Sequence, residues 1–352
     1  MEFKMMNTEW GDFPRAAEHG GNLEPELRVV ADDVLCSTLS HHGLVVVRGP
    51  DADQFLQGQL TCDVREVTLE RSLLGAYCSP KGRALACFRL FRRNDGLYLE
   101  LPRDLVSPTL ARLSKYVLRA KVTLEDASDH LVCLGIAGPN AASLALERLD
   151  EIPETVNGVL HSAEEESALT VIRLPGAIPR FELYGTASKV HALWNVRDER
   201  LRFTTGIEPW QALEILAGIP AVYPETVDAF VPQMLNLDLL GGISFQKGCY
   251  TGQEIVARTH YLGKLKRRMY LARVENPMPP KPGDPLFSPQ ADTSQSAGQL
   301  ADACRHPDGG YVVLAVALIN SAEHGTLHLI STDGPVLRLE ALPYGFGTAV
   351  SH

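Results

Sequence analysis

An α+β region over residues 28–261, followed by a small all-β barrel over 262–350, is the architecture the sequence predicts. Three observations carry it. From Leu27 onward, short apolar runs of strand character alternate with amphipathic stretches, and Asn94-Asp95-Gly96 marks a hairpin rather than a crossover. No G-x-G-x-x-G or P-loop follows a strand, which argues against a dinucleotide- or nucleotide-binding sheet. After Leu262 the helical spacing stops; a stretch with six prolines between Asn276 and Pro289 is followed by strand candidates only. Residues 1–27 carry Gly11, Pro14, Gly20, Gly21 and Pro25 and read as a mostly disordered lead-in.

In order along the chain, Gly43–Arg48 is a buried-strand candidate, and Asp51 caps a helix with Phe55, Leu56 and Leu60 on one face. Arg83–Arg92 and Leu97–Leu101 flank the hairpin signal. Leu105, Leu110, Leu113 and Val117 recur at helical spacing within a helix over Pro102–Tyr116. Strands follow at Val122–Leu124 and Leu131–Ile136, then a helix over Asn140–Leu149. The acidic stretch Glu164-Glu165-Glu166 precedes strands around Leu169–Leu174 and Arg180–Tyr184, and Thr186–Val196 is helical. Pro209 stands near the start of a helix that ends at Gly218. The barrel strands are expected at Lys264–Val274, Gly298–Ala303, Gly310–Ile319, Thr326–Ile330 and Val336–Leu342.

Composition narrows the function classes. Hydrophobic content of 45% and charged content of 22% are those of a soluble globular protein. No apolar run reaches the roughly 18 residues of a membrane helix, and residues 1–26 hold no signal-peptide core. No membrane association is expected, and the cytoplasm is the expected compartment. A net charge of −10 opposes bulk attraction to nucleic acid, so no stable nucleic-acid binding is expected. A local exception is Arg258, His260, Lys264, Lys266, Arg267 and Arg268, either a solvated face or a dock for an anionic tail or phosphate. The seven cysteines form no C-x-x-C pair, which argues against a zinc ribbon, and no metal site is predicted. Most of them, such as Cys87 and Cys133, sit in apolar runs.

Cys249 is different. It lies in Lys247-Gly248-Cys249-Tyr250-Thr251-Gly252-Gln253-Glu254, just before an apolar helical run. In an extended segment Lys247 would share a side with the Cys249 sulfur and favour its thiolate. Gly248 and Gly252 permit tight turns and close approach, and Gln253 and Glu254 add an amide and a carboxylate. Taken alone, Lys-Gly-Cys fits a turn between core elements equally well.

The eight residues from Lys247 to Glu254 resemble the signature of the YgfZ-type folate-binding proteins, relatives of the glycine-cleavage T-protein. Phe55–Val64, Pro80-Lys81-Gly82-Arg83 and Leu240–Phe245 agree with that family in order and spacing, over roughly residues 28 to 350. The resemblance implies a GcvT-like multi-domain fold and a tetrahydrofolate or related reduced folate bound in the region 28–261. Trp210 matches a family tryptophan implicated in folate contact; its plain alternative is a helix core residue. Gln57, Gln59 and Arg258 are further candidate folate contacts, and His42 stands where some relatives carry another aromatic. The implied role is support of iron–sulfur enzymes, tRNA-modifying ones among them, through transient contact with client or assembly proteins. Cys249 would then be the functional thiol: a transient ligand, a persulfide or redox thiol, or a nucleophile toward a one-carbon adduct. One cysteine cannot hold a cluster alone.

The alternative is a folate-dependent aminomethyltransferase or demethylase acting on a small amine. The T-protein places an aspartate shortly after a Gly-Gly pair; here no carboxylate occurs between Lys81 and Arg93. A cationic one-carbon intermediate would lose that counter-charge, so T-protein chemistry is not expected.

Overall fold

The computed structural model describes residues 34–162, 169–194, 200–204, 206–289 and 296–346. The expected lead-in and Glu164-Glu165-Glu166 lie outside them. In chain order the elements are β1 (Val34–Thr38), β2 (His42–Arg48), α1 (Ala52–Gln57), β3 (Leu73–Cys78), β4 (Ala84–Arg93), β5 (Gly96–Pro102), α2 (Val106–Leu113), β6 (Thr123–Asp126), β7 (Val132–Ala137), α3 (Ala141–Leu149), β8 (Val159–His161), β9 (Thr170–Arg173), β10 (Arg180–Gly185), α4 (Ala187–Leu193), β11 (Leu201–Thr204), α5 (Glu208–Leu216) and α6 (Gln253–Tyr261). The C-terminal part adds β12 (Arg267–Val274), β13 (Pro285–Phe287), β14 (Gly298–Arg305), β15 (Tyr311–Leu318), α7 (Ile319–His324), β16 (His328–Leu329) and β17 (Arg338–Glu340).

The strands form three sheets, ordered β11-β1-β7-β10-β9-β8, β3-β4-β5-β2-β6 and β16-β13-β14-β15-β12-β17. All pairings are antiparallel except β1 with β11. The third is a curled half-barrel, in keeping with the small C-terminal barrel the sequence predicts. The hairpin signal is realised between β4 and β5, where Arg93 pairs with Gly96 across Asn94 and Asp95. Asp95 is pinned there by the Tyr98 hydroxyl at 2.7 Å and the Arg48 guanidinium at 2.7 Å.

Strand periodicity explains how the first two sheets share a core. On β2, Val45 and Val47 enter one apolar cluster, while Leu44 and Val46 enter another. On β5, Leu97, Leu99 and Leu101 join the first cluster and Tyr98 joins the second. Side chains alternate across a strand, so a strand covered on both faces reads as an unbroken apolar run. The second cluster is the layer between the two sheets, and Trp210 of α5 completes it with Phe91, Tyr98 and Tyr184. The first cluster continues across residue 262, taking in Met269 and Leu271 of β12 with Val312, Leu314 and Val316 of β15.

Two element ends illustrate how the structure differs from the sequence reading. The helix after Thr186 ends at Leu193, and the β12 strand begins at Arg267 rather than Lys264. The lysines before it are exposed. Strands β1, β3, β8, β11 and β13 are additions, as is the short helix α7 within the part expected to hold strands only. Leu73-Leu74-Gly75-Ala76-Tyr77-Cys78 is buried throughout and lacks the alternation that marks a half-exposed strand.

Candidate functional site

The inter-sheet layer opens at one end into a cavity of about 330 Å³, near the lower end of the volumes that hold small molecules. Its polar lining follows from the same alternation. Glu100 sits two residues after Tyr98 on β5, Glu182 two before Tyr184 on β10, Arg89 two before Phe91 on β4, and His42 two before Leu44 on β2. Each therefore points into the layer just where its apolar filling stops. Leu74 and Phe88 give an apolar wall, α5 contributes Gln211 and Glu214, and Asp302 enters from β14.

The charges are arranged in pairs. His42 Nδ1 lies 2.8 Å from Glu100 Oε1, Arg89 Nε 3.8 Å from Glu182 Oε2, and Arg180 Nη1 2.7 Å from Glu214 Oε1. The Tyr184 hydroxyl donates to Glu182 Oε2 at 2.8 Å. Burial alone would pull the His42 imidazole down, but the carboxylates of Glu100, Glu182 and Glu214, Glu100 foremost, together hold it up at about 9. Burial and repulsion from Glu100 hold the Glu182 carboxyl above the usual carboxylate range. Burial, and then the charge on His42, drives His41 well below the ordinary imidazole value.

Asp302 reaches the cavity because β14 is irregular between Leu300 and Asp302. It accepts from Gln211 Nε2 at 2.7 Å and from the Tyr223 hydroxyl at 2.9 Å, and burial pushes its carboxyl up to about 7.

The cysteine motif forms a second locus. Cys249 is exposed, and the other six cysteines are buried. A Cβ added at Gly248 would meet nothing within 4 Å, so the residue before the exposed cysteine also borders open space. Gly252 has φ of +82°, and a Cβ there would come 2.4 Å from the Ser79 carbonyl oxygen; the close approach packs the start of α6 on the β3–β4 turn. Tyr250 is buried, with its ring centroid 5.2 Å from Lys247 Nζ.

Lys247 corrects the sequence reading. Its ammonium is turned inward, donating at 2.7 Å to the carbonyl oxygens of Leu60 and Cys62. It is 7% exposed, and burial pulls it down to about 8. Lys247 is buried and Cys249 exposed, so the expected same-side placement of the two does not arise. Satisfying two buried carbonyls decides where the lysine goes.

Other expected contacts also fall elsewhere. Trp210 is fully buried against β7, where a Cβ at Gly135 would lie 2.6 Å from its ring, and it does not line the cavity. That is the core-residue alternative. Gln57 spends its amide on Asp63 at 2.9 Å and on the Val64 N–H at 2.8 Å. Arg258 is exposed near the end of α6, and Glu254 is exposed in its first turn. The Gln253 N–H donates to the Tyr250 carbonyl oxygen, closing the turn before α6. Of the residues weighed in the sequence, His42 is on the cavity wall. Glu100, Glu182 and Arg89 were missed, although a charge inside an otherwise apolar strand run was a readable sign.

Residues 6–166 match the family described as GCVT N-terminal domain. The chain is 34% identical over 310 residues to a protein of Escherichia coli O45:K1 (strain S88 / ExPEC) named "tRNA-modifying protein YgfZ", covering 87% of this chain and 92% of the relative. A protein of the same name from Sodalis glossinidius is also 34% identical, covering 88% and 93%. One from Colwellia psychrerythraea is 32% identical, covering 87% and 92%. Among solved structures, the glycine cleavage system aminomethyltransferase T from Bartonella henselae superposes with a TM-score of 0.74 at 17% identity, over 91% of this chain and 89% of that one. That likeness concerns the fold. No helix among the described residues is long and apolar enough to cross a membrane.

Proposed function

The chain belongs to the YgfZ family, and on that premise we propose that it binds a reduced folate, tetrahydrofolate or a close relative, in the central cavity and acts in a process tied to tRNA modification. The finer role is upkeep of iron–sulfur enzymes, tRNA-modifying ones among them, with Cys249 as the working thiol presented to a client or assembly protein.

The observation that carries the reading is the cavity itself. A pterin is a flat ring with a row of N–H donors beside a carbonyl acceptor. Glu182 and Glu100 offer buried acceptors, Arg89 and His42 offer donors, and Phe88 with Leu74 offers an apolar face. Buried charged groups give such an edge its selectivity, because a ligand lacking the matching groups leaves them unpaired. At about 330 Å³ the cavity takes the ring system and leaves the glutamate tail outside. Cys249 does not line it, which favours a thiol that meets a partner protein over one that attacks the bound ring.

Glycine-cleavage aminomethyl transfer is not the proposed reaction. No carboxylate occurs between Lys81 and Arg93, so the counter-charge that a cationic one-carbon intermediate would need there is missing.

Anaerobic calorimetry with chelator-treated protein tests the site. Tetrahydrofolate should bind once per chain, and Glu182→Gln should weaken it by roughly tenfold or more, the loss expected when a buried charged acceptor is neutralised. Unchanged affinity in a folded Glu182→Gln protein would move the folate elsewhere. In cells lacking the native protein, Cys249→Ser should bind folate normally yet fail to restore iron–sulfur enzyme activity.

A further inference from the structure

We propose that His42, Glu100 and Glu182 form a site for a divalent transition-metal ion at the inner end of the central cavity. One ligand atom from each residue lies within 4.8 Å of the other two. The three come from β2, β5 and β10, hence from both sheets of the layer, and no sequence spacing announces them. The sequence predicts no metal site, and the inference departs from it on this juxtaposition. It goes beyond the folate reading and does not rest on it.

A second observation points to a ligand. His42 Nδ1 is 2.8 Å from Glu100 Oε1, yet it is a buried atom with no hydrogen bond of acceptable direction. The two atoms are neighbours without being aimed at each other. Two ligands of one ion adopt that relation: at zinc-type bond lengths of about 2.0–2.2 Å, adjacent ligand atoms end up roughly 3 Å apart. On the same wall His41, its ring centroid 4.2 Å from that of His42, also carries a buried Nδ1 without a partner.

The surroundings suit a dication. The Tyr184 hydroxyl holds Glu182 Oε2 at 2.8 Å, the kind of outer hydrogen bond that orients a ligating carboxylate. With His42 and Arg89 both charged the two carboxylates are balanced, and a dication that displaces the His42 proton would leave one net positive charge. One imidazole and two carboxylates favour zinc, manganese, iron(II) or cobalt(II) over calcium or magnesium, which prefer all-oxygen shells. The ion would draw on the same carboxylates that the pterin reading uses, so ion and ring would compete for the inner end of the cavity.

Cobalt(II) is the probe. Full-length protein, stripped with a chelator and free of folate, is titrated anaerobically with Co²⁺ while visible absorption is recorded. The expected result is one equivalent per chain at micromolar affinity or tighter, ligand-field bands without a thiolate charge-transfer band, and displacement by Zn²⁺. His42→Gln and Glu100→Gln should each weaken binding by roughly tenfold or more. Absence of saturable binding by the wild type, a thiolate band, or unchanged affinity in either folded variant would overturn the site. The wild-type spectrum decides even where a variant does not fold. Because folate is absent throughout, failure here leaves the folate reading standing, and the reverse.

Discussion

Lys247 Nζ donates to the main-chain carbonyl oxygen of Cys62 at 2.7 Å, which makes the motif lysine a tie between the cysteine loop and the segment before β3. A second bond of 2.7 Å to the Leu60 carbonyl completes the tie. The lysine thereby fixes where the thiol is presented.

Lys247→Met keeps the apolar stem but leaves two buried carbonyls unsatisfied. Unfolding in urea should show a loss of about 2–4 kcal/mol. A change below about 0.5 kcal/mol would mean the loop is held by other contacts.

Cys249 should be the fast thiol. Burial pushes Cys62 and Cys78 up to about 12 and raises Cys87, Cys133 and Cys304 as well, whereas Cys249 is exposed. Competitive alkylation of the native protein, read by mass spectrometry, should give one dominant adduct, formed at least roughly ten times faster than at any other cysteine. Equal labelling of Cys87 or Cys133 would refute this.

Trp210 and Gly135 make a matched pair in the layer between the sheets. Gly135→Ala would force a methyl to within 2.6 Å of the indole, and overpacking of this kind costs about 1–3 kcal/mol. Trp210→Ala should cost about 3–5 kcal/mol by leaving a cavity. Trp210→Phe, where it folds, should bind tetrahydrofolate as the wild type does, since the indole does not line the cavity. A clear affinity loss in calorimetry would restore the stacking role that the sequence suggested.

Asp302 should make stability depend on pH. Its folded value of about 7 stands above the ordinary 3.8, so the folded state keeps the proton longer than the unfolded chain does. Stability from this group is therefore full below about pH 4 and falls as pH rises toward 7. Asp302→Asn removes the titration. Relative to the wild type, the variant should gain about 1–3 kcal/mol between pH 4 and pH 8, measured by urea unfolding at each pH. A pH-independent difference would show that the carboxyl does not titrate in this window.

What could be read in the sequence was mostly local. The hairpin at Asn94-Asp95-Gly96, the helix opened by Pro209 and the long strands of the curled C-terminal sheet follow from turn chemistry and periodicity. The exposure of Cys249 followed from its glycine-flanked setting. The cavity did not. Glu100 and Glu182 are 82 residues apart and meet only because β2 to β5 and β7 to β10 form facing sheets, a pairing no window of sequence contains. Lys247 was misread because its partners are main-chain carbonyls nearly 190 residues away, and carbonyls leave no mark on the sequence.

The irregularity in β14 that brings in Asp302 has a further effect. The pocket is closed partly by residues from each side of position 262, so any occupant would touch two stretches of chain made at different times during synthesis. A nascent chain ending before β14 holds no finished pocket, and a small molecule bound there would act as a latch between early and late parts of the polypeptide. Occupancy should therefore show up as slowed amide exchange in β14, reporting in the C-terminal sheet what is held between the first two.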